Sequence, residues 1–320
     1  MSHASFVAGD WGTSHLRLFL CDTEGAPLDG RSGPGAADIG GGFAETFDSL
    51  TAGWEESHGA LPAVLCGMVG SSIGWIQAPY VACPATPEQI VDACAALRGG
   101  RIHIVPGLSC RNRLDAPDFL RGEETQILGA LHLVPALRRG CWLLCQPGTH
   151  TKWVVLQDGR VSEFFTAPTG EMFAVLRDHS VLVRKPEGAK TPIYENAFHE
   201  GLARFNEFPE VQLLHRLFEC RSRQLSGELA AQSADGYLSG LLIGSDVLGA
   251  LRLLPGSVTP GSVCLIGSAQ LTRLYAAALA SHGHGASQID GAEASRAGLA
   301  HVHQRLSQPG LSHRVAVHDL

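Results

Sequence analysis

The sequence predicts an α/β protein made of two related domains, and three observations carry that expectation. The chain has 320 residues, which at roughly 100–200 residues per domain suits two units that each bury a core. An apolar strand running into a Gly-Thr turn occurs twice, at Gly12-Thr13 and again 136 residues later at Gly148-Thr149. Strands followed by helical patterns recur in both halves.

In chain order, the first apolar strand is Phe6 to Gly9, closed by Asp10. The turn Trp11-Gly12-Thr13-Ser14 leads into an alternating strand carrying Leu16, Leu18 and Leu20, which stops at Asp22-Thr23-Glu24-Gly25. Ala63 to Cys66 reads as a short strand entering a glycine-rich loop, 67–75. A helix is expected from about Glu123 to Leu137, turning Ile127, Leu128, Leu131 and Leu133 to a core. The hairpin grammar then returns: strand Trp142 to Cys145, Gln146, the turn Pro147-Gly148-Thr149-His150, strand Trp153 to Leu156, the turn Asp158-Gly159, and a strand from Arg160 to Thr166. Asp10 and Gln146 each stand two residues before their glycine. Beyond lie an amphipathic stretch at 197–205 and helices around 211–223 and 233–253. Val263 to Ile266 reads as a buried strand broken by Gly267-Ser268, followed by a helix over 269–281, a strand at 287–290 and a terminal helix opening at Gly291.

Composition narrows the function. Hydrophobic residues at 45% and charged residues at 17% suit a folded globular chain and not a disordered one. A net charge of −7 without any Lys/Arg cluster argues against nucleic acid or an anionic membrane as partner. A small anion stays compatible, since a few local arginines can hold it. The nine cysteines show no Cys-x-x-Cys spacing and read as apolar thiols of a reduced protein. The start Met1-Ser2-His3-Ala4-Ser5 lacks the basic and apolar regions of a signal peptide. The apolar run 238–254 is interrupted by Asp246 and Arg252, too short and polar to span a bilayer. A cytoplasmic protein is expected. His282-Gly-His284 and His301-Val-His303 come without further ligands at metal spacing and read as surface histidines.

A nucleoside triphosphate needs N–H and hydroxyl donors at its terminal phosphates and a carboxylate to position magnesium. Gly12-Thr13-Ser14 can supply the donors and Asp10 the carboxylate. Gly148-Thr149-His150-Thr151-Lys152 can form an opposing jaw with a lysine added. Either turn alone would be an ordinary hairpin; the matched pair favours phosphate binding. No Gly-x-x-x-x-Gly-Lys-Ser/Thr or strand-linked Gly-x-Gly-x-x-Gly occurs, so the P-loop and Rossmann readings lose their support. At Gly267-Ser268 the backbone can lie against adenine or ribose at a helix N-terminus, although a plain strand-to-helix joint has the same look.

These landmarks resemble the actin, heat-shock chaperone and hexokinase superfamily. The first phosphate motif reads Asp10-Trp-Gly12-Thr13-Ser-His-Leu-Arg17, the second Gln146-Pro-Gly148-Thr149-His150-Thr-Lys152-Trp153, and the adenosine motif Ile266-Gly267-Ser268-Ala269. Gln146 stands where many relatives carry Asp, which leaves magnesium mainly to Asp10. The resemblance implies two ribonuclease-H-like domains with ATP and Mg²⁺ in the cleft between them. A narrower resemblance, to the 2-dehydro-3-deoxygalactonokinase family, covers nearly the whole chain. It rests on Gly9 to Arg17, Gly67-Met68-Val69-Gly70-Ser71, Gly74-Trp75 with Ala78-Pro79-Tyr80, Arg121-Gly122-Glu123-Glu124-Thr125-Gln126, and Pro147 to Trp153. It implies a kinase of galactonate catabolism that phosphorylates the 6-hydroxyl of 2-dehydro-3-deoxy-D-galactonate.

In distantly similar sugar kinases an Asp opens a helix just before the second hairpin; here that place holds Glu123 and Glu124, either of which could act as base. Alternatively both simply favour a helix N-terminus, for about 0.3–1 kcal/mol each. Asp118 and Asp115 stand in reserve. The substrate carboxylate calls for an arginine fork or paired N–H groups, which Arg111, Arg113, Arg121 and the loop with Gly70, Ser71, Ser72 and Trp75 can offer. The division expected is 1–122, carrying the substrate loops, and 123–320, binding nucleotide, with the terminal helix free to pack back on the first domain. A kinase of another sugar on the same fold and a nucleotide-dependent binding module are the competing readings; the sequence ends soon after the last helix with no further module to suit the latter. A homo-oligomer is compatible with all of these.

Overall fold

The computed structural model describes residues 3–184, 195–254 and 261–308. The chain opens with β1 (Phe6–Trp11), β2 (His15–Cys21) and β3 (Pro27–Pro34), then α1 (Phe43–His58) and β4 (Ala63–Gly67). There follow β5 (Tyr80–Ala82), α2 (Pro87–Asp92), β6 (Ala95–Leu97), β7 (Ile102–Ile104), β8 (Gly107–Arg111), β9 (Pro117–Leu120) and α3 (Glu123–Leu133). The second repeat brings β10 (Cys141–Gln146), β11 (Thr151–Gln157) and β12 (Arg160–Ala167), followed by α4 (Thr169–His179), α5 (Glu195–Glu207), α6 (Glu219–Ser226) and α7 (Ala234–Leu253). Last come β13 (Val263–Gly267), α8 (Ala269–Ala280), β14 (Ala286–Asp290) and α9 (Gly291–Leu306).

The duplicated hairpin reaches further than the sequence suggested. One sheet has the order β3-β2-β1-β4-β7-β6, another β12-β11-β10-β13-β14. Each thus begins with three successive strands in reverse order, then a fourth that lies parallel to the first of the three. β1 is buried almost throughout because it lies inside the sheet between β2 and β4 with α9 packed on it, so it reads as an apolar run up to Asp10. β2 alternates, with Leu16, Leu18 and Leu20 inward and His15 and Arg17 outward. β3 was not foreseen: Pro27, Gly30, Gly33 and Pro34 oppose strand propensity, and the segment exists as an exposed edge held by β2. A third, small sheet has the order β5-β8-β9.

Among the described residues, one compact unit takes in 3–141, 154–164 and 289–308, and another takes in 142–153, 165–184, 195–254 and 261–288. The first is centred on Trp11, Leu16, Leu18, Phe43, Phe47 and Trp54, each large side chain contributing about 1.5–3 kcal/mol on burial. The second has a core around Phe205, Cys220, Tyr237, Leu238 and Leu241. Residues 123–141 lie with the first unit, displaced from the expected division at 122/123. The reason is the packing of α3 on α9, where a Cβ at Gly129 would fall 1.8 Å from the Ala294 carbonyl oxygen and one at Gly298 would fall 1.9 Å from that of Thr125. Helix α3 also stops short of Leu137, because Pro135 opens a 3₁₀ turn over Pro135–Arg138. No helix among the described residues is long and apolar enough to cross a membrane.

Candidate active site

In the first unit, the ends of β1, β4 and the start of α3 converge. Asp10 stands in register with Cys66, and Trp11 with Gly67. Gly67 has φ 92°, and a Cβ there would press to 2.8 Å on the Trp11 carbonyl oxygen; a Cβ at Gly122 would lie 3.5 Å from Gly67 Cα. Arg17 Nη2 donates to Asp10 Oδ2 at 2.6 Å, across the β1–β2 pair. The turn between these strands is closed by Gly12 N–H to the His15 carbonyl at 2.9 Å, and is braced from behind by Ala36 and Ala37 N–H groups on the carbonyls of Gly12 and Thr13. Thr13 and Ser14 are left exposed at its tip.

The two glutamates at the start of α3 have different surroundings. Glu123 is half-buried and its Oε2 accepts from Arg121 N–H at 3.1 Å. Glu124 is 0% exposed, accepting from Gly122 N–H at 2.6 Å and from the Thr125 hydroxyl at 3.1 Å. Burial, helped by the charge of Glu123, pushes the Glu124 carboxyl up to about 8, against the pull of its backbone bonds and Arg121. It also contributes to raising the buried Cys66 and Cys94 thiols, which places it on the interior side.

The expected substrate residues are placed as follows. Ser71 is buried and closes its own turn, donating to the Met68 carbonyl at 2.8 Å and accepting from Ile73 N–H at 3.3 Å; Ser72 is exposed. Trp75 packs with Trp11 and Phe47, at centroid distances of 6.5 and 5.8 Å, with the Arg98 guanidinium over it. Gly70 is buried beside Arg121, close enough that a Cβ would sit 2.8 Å from Nη1. Arg121 donates Nη2 to the Ala78 carbonyl at 2.8 Å and lies 4.2 Å over the Tyr80 ring, so it ties β5 and the loop before it to the start of α3. Arg111 pairs with Asp115 at 2.9 Å and Arg113 with Glu163 at 2.8 Å. Asp118 accepts from Phe119 N–H and from Asn112 Nδ2.

In the second unit, β10 runs parallel to β13, which sets Pro147 beside Gly267, 3.6 Å from where a Cβ would stand. Ser268 caps α8, its hydroxyl accepting from Leu271 N–H at 3.4 Å. The Gly148-Thr149-His150 turn therefore adjoins the Gly267-Ser268 joint. His150 Nε2 lies 2.7 Å from Glu171 Oε2. Lys152 is buried along β11, with Nζ directed at the His150 carbonyl at 3.4 Å. A cavity of about 50 Å³ opens beside the turn, lined among others by Gly148, Gly170, Phe173, Leu242 and Leu271.

Sequence reasoning used Asp246 only to exclude a membrane span and gave it no role in a site. Its carboxylate accepts from Trp153 Nε1 at 2.8 Å and from the hydroxyls of Thr169 and Tyr275, both at 2.6 Å. The available signal was an acidic residue within an apolar run, which is costly unless hydrogen-bonded.

Comparison with known proteins gives the family. The model of a family described as 2-keto-3-deoxy-galactonokinase matches residues 10–302. A Rhizobium meliloti protein described as a probable 2-dehydro-3-deoxygalactonokinase is 40% identical over 92% of this chain and 95% of its own. The Escherichia coli 2-dehydro-3-deoxygalactonokinase is 33% identical over 92% of this chain and 96% of its own. A crystal structure from Sinorhizobium meliloti, provisionally assigned as a 2-dehydro-3-deoxygalactonokinase, superposes with TM-score 0.84 at 38% identity, covering 94% of this chain and 99% of that one. At 9% identity and TM-score 0.50, component A of the Acidaminococcus fermentans (R)-2-hydroxyglutaryl-CoA dehydratase covers 96% of this chain and all of its own, and shares the fold alone. The architecture is the α/β fold of actin-like and hexokinase-like proteins, and the chain belongs to the 2-keto-3-deoxy-galactonokinase family.

Proposed function

We propose that this chain is an ATP-dependent kinase that transfers the γ-phosphoryl group to the 6-hydroxyl of 2-dehydro-3-deoxy-D-galactonate in galactonate catabolism. Family membership carries the substrate; the convergence of Asp10, the Gly12–Ser14 turn and the α3 glutamates at one end of the first sheet supports the chemistry. The acceptor oxygen forms a bond to the γ-phosphorus while the bond to the β,γ-bridging oxygen breaks, and ADP leaves. The acceptor proton goes to Glu123, the less enclosed of the two glutamates; Glu124 serves as a buried, neutral support beneath it. Exposed Thr13 and Ser14 supply donors to phosphate oxygens. Gly148-Thr149-His150 and Gly267-Ser268 make the nucleotide contacts of the second unit, with Lys152 supporting the turn from within its strand. Ser72 is the open hydroxyl of the 67–75 loop, and Arg121, locked to that loop, is the arginine that shapes the sugar-acid pocket.

Among the described residues no group of three His, Cys, Asp or Glu side chains could hold a metal. A single carboxylate, Asp10, fits an ion held mainly by phosphate oxygens and water, as magnesium with ATP usually is. Bound there, Mg²⁺ would offset charge on the terminal phosphates. Asp10→Ala should abolish turnover, a loss of about 10³-fold or more, with an unchanged circular-dichroism spectrum. Wild-type rates in that variant would remove Asp10 from the site, and a coupled assay over aldonic acids, 2-keto-3-deoxy acids and neutral hexoses tests the acceptor. Faster turnover of a neutral hexose than of any sugar acid would overturn the substrate.

A further inference from the structure

Asp246 lies in α7, whose preceding turns are apolar and which has no local use for a carboxylate. Three donors from three other elements meet on it: Trp153 from β11, Thr169 from the first turn of α4, and Tyr275 from α8. The Tyr275 hydroxyl also lies 2.8 Å from Thr151 Oγ1. With the tyrosine proton directed to Asp246, Thr151 is the donor in that second bond. Burial raises the Asp246 carboxyl, and the surrounding hydrogen bonds pull it back toward the ionised form.

These donors share a neighbour, the 147–150 turn. Thr151 and Trp153 begin the strand that leaves it. Thr169 opens the helix that holds it: Glu171 N–H donates to the Thr149 carbonyl at 2.9 Å, and the Glu171 carboxylate meets His150 at 2.7 Å. Gly170 approaches so closely that a Cβ would stand 2.3 Å from the Gly148 carbonyl oxygen.

We infer that Asp246 is a positioning residue for the second phosphate turn, clamping β11 and α4 so that Gly148-Thr149-His150 is preorganised for nucleotide. The inference rests on the proposed reading of that turn as a nucleotide contact. Donors fixed before the ligand arrives lose little on binding, whereas a relaxed turn must be ordered by the ligand itself. The clamp therefore acts on ATP and ADP and leaves the sugar acid alone.

The test is steady-state kinetics with both substrates, together with ADP titration by calorimetry. Asp246→Asn keeps the shape but cannot accept from all three donors. It should raise the KM for ATP and the Kd for ADP roughly ten- to a hundredfold, with the KM for the sugar acid within about twofold of wild type. If the variant does not fold, Tyr275→Phe and Thr169→Val, which each delete one donor, should move the ATP KM in the same direction. An unchanged ATP KM in the folded variants, or equal rises for both substrates, overturns the inference. Gly148→Val separates the two readings, because its Cβ points into space free of other atoms within 4 Å and should obstruct phosphate without disturbing the fold. If Gly148→Val weakens ATP and Asp246→Asn does not, Asp246 alone is wrong; if Gly148→Val leaves ATP untouched, the turn is not a nucleotide contact and the inference falls with it.

Discussion

At the scale of single residues, Glu123 and Glu124 show how adjacent identical side chains acquire different duties. Helix geometry turns successive residues to different faces, so one carboxylate is half-exposed and the other fully enclosed, held by Gly122 N–H and the Thr125 hydroxyl. Glu123→Gln should lower kcat by about 10²–10⁴-fold with little change in KM. Glu124→Gln should retain kcat within a few-fold, since glutamine imitates the protonated acid that a carboxyl near 8 presents at neutral pH. The reverse ranking would exchange the two roles. Glu124 also ties stability to pH. Its carboxyl is raised on folding from 4.5 to about 8, so between those values the folded chain binds the extra proton. Its contribution is therefore fully present below 4.5 and falls as pH rises toward 8, by up to about 1.4 kcal/mol per pH unit. Urea midpoints across that window should decline less steeply in Glu124→Gln than in wild type; parallel slopes would refute the assignment.

At the scale of elements, the helices meet through glycines. Gly129 and Gly298 let α3 and α9 touch backbone to backbone, and Gly201 and Gly240 do the same for α5 and α7, where a Cβ would come within 2.1 and 2.3 Å of carbonyl oxygens. Overpacking in a core commonly costs about 1–3 kcal/mol, and here the obstacle is main chain that cannot rotate away. Gly129→Ala or Gly298→Ala should therefore cost at least about 3 kcal/mol in urea unfolding. Gly53→Ala in α1, with nothing within 4 Å of the new methyl, should be neutral or stabilise by about 0.5–1 kcal/mol. Equal effects at these positions would show that the helices can part. A related tertiary effect explains why 211–223 is not one helix. Arg216 is buried and donates to the carbonyls of Arg204, Phe205 and Phe208 at the end of α5. That capping draws the chain into a 3₁₀ turn over Leu213–His215 before α6 begins. Composition alone does not reveal such a long-range partner. Helix α1 is different: Phe43, Phe47, Thr51 and Trp54 stand at helical spacing, a local signal that the sequence does carry.

At the scale of the whole molecule, ligand linkage gives a check independent of turnover. A nucleotide that binds only the folded chain adds about 2.7 kcal/mol at a hundred times its Kd. Magnesium with ADP should therefore raise the melting midpoint by several degrees without any sugar acid present. No shift at saturating nucleotide would contradict the proposed nucleotide site.

The repeated strand–turn–strand pattern is the part of this molecule that the sequence determined by itself. Strand, Gly-Thr turn and strand are local patterns, set by alternation and by a glycine that a tight turn needs, so Asp10, Gly12, Gly148 and Thr149 were legible along the chain. Which glutamate is enclosed, where Arg121 is tied, and what Asp246 holds were decided only by tertiary structure. Burial and hydrogen bonding there come from residues as far apart as Thr151 and Tyr275 or Ala78 and Arg121, and no local pattern encodes those meetings.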